Sequence, residues 1–190
     1  MLDKKFWDKV FKEQANFDVS RRKIIAESAA ALHGSKLTIF ALHRDDLAEA
    51  KTKLDEAKKG LQSLDKRFGK DFRLRMEGSW KAGVEEFVEA KLFYDFCTSG
   101  KITGIKDLSV EADEYIGGMS DLTGEILRKM IIWATQKEDK KLKPSAEVIG
   151  DVVHVLMQQN LGGYLRTKFD QAKKNQRKCE EVLYDISLRR

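Results

Sequence analysis

The stretch GVEEFVEA, residues 83–90, sets three glutamates among two valines, a phenylalanine and an alanine. It lies within GKDFRLRMEGSWKAGVEEFVEAKLFYDFCTSG, residues 69–100, a run without proline that ends in Ser99 and Gly100, a helix-stopping pair. The run therefore reads as one long helix. On a helix successive side chains turn by about 100°. With Glu86 as origin, Glu77, Lys81, Glu85, Lys91 and Asp95 gather on one arc, the expected water face. Trp80, Ala82, Gly83, Phe87, Ala90, Phe93, Tyr94, Phe96 and Cys97 take the other arc, with Glu86 among them and Glu89 about 60° away. Glu85 is thus expected to be an ordinary surface glutamate, and Glu86 and Glu89 to point inward.

Two inward carboxylates three residues apart can address one point in space. Each costs several kcal/mol to bury unless it meets a cation or gives up its charge. An Arg or Lys from a neighbouring helix is one compensation. A bound divalent cation is the other, and oxygen ligands without His or Cys suit Mg²⁺ or Mn²⁺ rather than zinc.

Working outward, the rest of the chain is also helical in pattern. Residues 3–42 form a long helix, bent near Asn16–Ser20, with apolar residues at Phe6, Val10, Phe17, Ile24, Ile25, Ala31 and Leu32. A second helix carries the stripe Leu47, Ala50, Leu54, Ala57, Leu61 and Leu64. After the short connection KITGIKDLS comes VEADEYIGGMSDLTGEILRKMIIWATQ, then the charged loop KEDKKLK. Pro144 opens a further helix at its first turn, LGG stops it, and a basic helix runs from Tyr164 to the end. No repeat or interdomain linker divides the chain. The reading is all-α, a single domain over 1–190 with about six to seven helices.

Composition agrees. Of 190 residues only Pro144 is proline, and 36 Lys and Arg against 31 Asp and Glu give a net charge of +5, which permits a polyanionic partner. No apolar run approaches the ~20 residues of a membrane span and the start lacks a signal-peptide core, so a cytoplasmic location is expected. Cys97 and Cys179 stand apart and read as reduced. His33, His43 and His154 are scattered and offer little for a histidine-based site.

A metal site needs carboxylates from a second helix. Glu114, Asp121 and Glu125 are spaced seven and four apart and share one face. Gly117, Gly118 and Gly124 flank that face and would let the preceding helix come close, although Arg128 and Lys129 could equally pair with a solvated acidic stripe.

GVEEFVEA and YIGGMSDLTGEILR, in this order on successive helices, resemble two signature stretches of the catalytic members of the translin family. FRLRMEGSW adds to the match, and the C-terminal KCEEVLYDISLR is similar to the end of translin itself. The resemblance implies an all-helical protein that assembles as a hollow octameric shell, binds single-stranded RNA and DNA, and cleaves RNA with Mg²⁺. It places catalytic, metal-holding carboxylates at Glu86, Glu89 and Asp121, with Glu125 close by. Translin proper lacks these carboxylates and is a binding scaffold, which is the alternative reading. A chain with both characters would form a homo-oligomer without a second kind of subunit.

Phosphate contacts are expected from Arg73 and Arg75, and from Lys173, Lys174 and Arg177 on the last helix, where a merely solvated face is the plain alternative. Trp80, between the arginines and the acids, is either core or a stacking surface for a base.

Overall fold

The computed structural model describes residues 2–188. Among these are seven α-helices, one 3₁₀ turn and no strand, so the all-α expectation holds. Met1 of the single-domain reading, and the last helix's expected run through residues 189–190, lie outside the described residues.

Helix α1, Lys4–His43, is uninterrupted through Asn16–Ser20. Asp3 caps it by accepting the Phe6 N–H at 3.1 Å. Its first buried residue is Ile24; of the periodic apolar residues of its first half, Phe6 is exposed and Phe17 is partly buried against the core. From Ile24 onward it packs on α2, Leu47–Phe68, and on α4. The α2 stripe is buried at Ala50, Leu54, Ala57, Leu61 and Leu64, whereas Leu47 is exposed.

The expected long helix at 69–100 is two. A single turn, α3 (Phe72–Arg75), is capped by Asp71, which accepts from the N–H groups of Arg73 and Leu74. The chain then breaks at Glu77, which is extended at ψ 126° and held by Arg21 of α1. Helix α4 follows, Gly78–Ser99, ended by left-handed Gly100 at φ 67°.

Helix α4 contacts α1, α2 and α5 and is the centre of the bundle. Trp80, Val84, Phe87, Val88, Leu92, Phe93 and Phe96 are all buried on it, at positions all round its circumference. No water face of the expected kind exists. Glu77, Lys81, Glu85, Lys91 and Asp95 are each partly covered and ion-paired.

Helix α5, Ala112–Thr135, lies between α4 and the pair α6 (Leu142–Met157) and α7 (Gly163–Ser187). A Cβ at Gly118 would fall 2.7 Å from the Glu85 carbonyl oxygen, so α4 and α5 touch backbone to backbone there. Gly117 abuts the Glu85 side chain, but Gly124 faces Asn175 of α7 rather than α4. Pro144 sits in the first turn of α6, and the preceding charged loop is partly ordered as a 3₁₀ turn, with Leu142 buried. Both cysteines are free. Among the described residues no helix is long and apolar enough to cross a membrane.

Candidate functional site

The close packing at Gly117 and Gly118 brings the middle of α4 against the middle of α5, and the first turns of α7 cover the seam. A cavity of about 300 Å³ opens there, lined by Glu85, Glu86, Glu89, Asp121, Tyr164 and Lys168 with Lys81, Asp113 and Leu32 at its edge. Glu86, Glu89 and Asp121 thus line one cavity. Glu125 is one turn further along α5 and does not line the cavity. Its carboxylate lies 2.5 Å from His43 Nε2, at the buried end of α1. The charge of Glu125 nevertheless acts on Glu86, Glu89 and Asp121.

The acids are compensated unequally. Lys168 Nζ is 2.8 Å from Glu85 Oε1 and also pairs with Asp121, while the Tyr164 hydroxyl donates to Glu85 at 2.5 Å. Burial works against the Lys168 charge, but these bonds overcome it and raise its pKa. Among the described residues Glu86 and Glu89 have no hydrogen bond or ion pair. Burial, opposed by the charge of Lys36 on α1, leaves the Glu86 carboxyl raised. Burial, with Asp121, Glu86 and Glu125 nearby, pushes Glu89 up to about 9. Asp121 is raised by burial, and Lys168 offsets part of that.

Oxygen-only donors, two of them with no protein cation, fit a hard divalent ion in kind. They are not ready to chelate one, since among the described residues no three His, Cys, Asp or Glu side chains stand close enough together to hold an ion as they are. Glu86, Glu89 and Asp121 are the side chains that would do so.

Other expectations change. Glu85 is a member of the cluster rather than a surface residue, and its pairing with Lys168 leaves no local signal because the partner is on α7, far along the chain. In the sequence Tyr164 marks only the start of the last helix, and Lys168 is one cation among several of a basic run; in the fold both line the cavity. Glu114 is not in the cavity, for its carboxylate binds Arg75 through two bonds of 2.8 and 2.7 Å. Arg75 is only 6% exposed and stacks over Trp80, so it is not available to phosphate as expected. Trp80 is core, at 1% exposure. Lys129 does not pair with the acidic stripe. It is buried and donates to the Leu42 and His43 carbonyls and to Asp45, closing the end of α1.

The remaining cations are accessible to different degrees. Arg73 is exposed over the Phe17 ring, and Lys174 and Arg177 are exposed on α7. Lys173 is partly covered and tied to Asp170 at 2.7 Å.

Comparison with known proteins gives one consistent result. The Translin-associated protein X homolog of Schizosaccharomyces pombe is 29% identical over 125 residues, 58% of this chain and 54% of that protein. The chain spans about half the length of the curated relative it matches. The crystal structure of apo-NeC3PO superposes with a TM-score of 0.87 at 22% identity, over 98% of each chain. The AfC3PO–duplex RNA complex does so at 0.85 and 19% identity, over 97% of each. These likenesses concern the fold. The model of the translin family matches residues 19–190, nearly all of the chain, and the chain belongs to the translin family.

Proposed function

We propose that this chain is a metal-dependent endoribonuclease, acting in the cytoplasm, that binds and cleaves single-stranded RNA by phosphodiester hydrolysis and also binds single-stranded DNA. One observation carries the reading: carboxylates of α4 and α5 converge on one cavity, and among the described residues neither Glu86 nor Glu89 has a hydrogen-bonded or ion-paired partner. An unpaired buried carboxylate weakens a fold, so its presence calls for a use.

Glu86, Glu89 and Asp121 would hold Mg²⁺ or Mn²⁺, and Glu125, one turn beyond the cavity, would join them only by turning away from His43. When bound, such an ion polarises the scissile phosphate and lowers the pKa of a water. The chain's own residues do the rest. Glu89, protonated at neutral pH without metal, would release its proton on ligation. Once released from His43, Glu125 would serve as a further ligand or align a water. Arg73, Lys173, Lys174 and Arg177 would hold the RNA backbone, and Arg75 would not.

Family membership supports a homo-oligomer, an octameric hollow shell in this reading. The exposed Phe6, Trp7 and Phe11 on the free half of α1 give it apolar surface for such contacts. Two observations favour a non-catalytic scaffold instead: Lys168 already pairs with both Asp121 and Glu85, and among the described residues no three acids are poised to chelate.

Cleavage of labelled single-stranded RNA, with Mg²⁺ and with EDTA, separates the two. The expected result is metal-dependent cutting that disappears in Glu86→Ala/Glu89→Ala while RNA binding persists. Binding without cutting by the unaltered protein would establish the scaffold.

A further inference from the structure

Among the described residues Lys168 is the cation whose side chain enters the carboxylate cavity and bonds to two of its acids, Glu85 and Asp121. It is held there from three sides: Glu85 at 2.8 Å, Asp121, and the Tyr164 ring at 5.1 Å from Nζ, with the Tyr164 hydroxyl on the same Glu85 oxygen. The acids it leaves alone are Glu86 and Glu89. Asp121, in contrast, is a proposed metal ligand already carrying a positive charge. A divalent ion and an ammonium cannot both sit on the same carboxylate oxygen without strong repulsion.

We propose that Lys168 is a built-in counter-ion which a divalent metal displaces from Asp121, and which then binds a phosphate oxygen of the RNA in the same cavity. This rests on the nuclease reading above. The displacement costs little movement, because a lysine head on a four-carbon stem swings about a fixed helix. Glu85, kept in place by Tyr164, is the acid that retains Lys168 near the cavity after Asp121 turns to the metal. Three residues outside the proposed ligand set, Glu85, Tyr164 and Lys168, thereby join the site. Their role is to hold its charge balanced in both states. In the metal-free state the pairing keeps Asp121 from being a third unpaired acid. In the loaded state the same ammonium neutralises phosphate charge, which a carboxylate-lined cavity otherwise repels.

The test is calorimetric titration of metal-free protein with Mn²⁺, comparing the unaltered chain with Lys168→Met and Lys168→Arg, alongside RNA cleavage. Removing the competing charge in Lys168→Met should tighten Mn²⁺ binding by about tenfold or more, since a unit charge a few ångströms away is worth at least that near a protein surface. Cleavage should fall in the same variant. Lys168→Arg keeps the charge and should bind Mn²⁺ as the unaltered chain does. If Lys168→Met fails to fold, Lys168→Gln, which can still bond to both carboxylates, carries the same expectation. Unchanged or weaker Mn²⁺ binding in the neutral variant, with the unaltered protein binding Mn²⁺ and cutting RNA, overturns the role of Lys168 and leaves the nuclease standing. No Mn²⁺ binding and no cleavage by any of the proteins overturns both.

Discussion

Two buried acids on the packed helices α4 and α5 meet opposite fates. Glu114, 1% exposed at the start of α5, is clasped by both terminal nitrogens of Arg75 and also accepts the Glu111 N–H. Glu89, 8% exposed in the middle of α4, has neighbours that are mostly acids, and its carboxyl is pushed up to about 9. The first acid is fully paired, both carboxylate oxygens bonded, and joins α3 to α5, while Arg75 Nε is left without a partner. The second is incomplete, and it is the incomplete one that faces a cavity. Burial alone therefore does not separate a structural charge from a chemical one, and the partner does.

The largest effect should come from opening the complete pair. Arg75→Met leaves Glu114 charged and unpaired, and should lower stability in urea unfolding by about 3–5 kcal/mol. If it does not, the contrast between the two acids disappears. Next is the seam that brings the acids together. Gly118→Ala places a methyl against the Glu85 carbonyl and the Val88 side chain, and should cost about 1–3 kcal/mol. It should also reduce cleavage more than its loss of stability explains, because α5 carries Asp121.

The pH dependence probes the contrast from the side of Glu89. Its carboxyl is raised from 4.5 to about 9 in the folded chain, so between these values the folded state keeps a proton that the unfolded state has lost. Stability from this group is full below pH 4.5 and falls as pH rises toward 9. In EDTA the unaltered protein should melt lower at pH 8.5 than at pH 6, and the gap should shrink in Glu89→Gln. The smallest effect is on the surface. Lys174→Ala/Arg177→Ala should weaken RNA binding modestly and lower the salt slope by about 2, one for each phosphate no longer neutralised.

Much of this is legible in the sequence and some is not, for definite reasons. The α2 stripe falls where the periodicity puts it because α2 is amphipathic, buried along one edge only. The wheel fails for α4 because that helix is buried all round, so its polar residues carry no direction. It sends Glu85 to water and Glu86 to the centre of the core, whereas both line the cavity. Glu86 and Glu89 are legible together because their spacing is local, and Asp121 because it recurs with Glu125 on one face of the next helix. Lys168 and Tyr164 are not, since they reach the site only through the packing of α7 on α5. Arg75 misleads for the converse reason: a basic residue before an acidic motif looks like a phosphate contact until its partner on α5 is seen.

If Glu89 is kept at a cost to stability because it serves a site, urea unfolding of Glu89→Gln beside the unaltered protein, at pH 8 in EDTA, should reveal that cost. The amide variant should be the more stable of the two, on the order of 2 kcal/mol, since it removes a buried acid the fold does not compensate. A variant less stable than the unaltered chain, as expected for Arg75→Met, would mean that Glu89 has a partner that holds it, and that the acid is structural after all.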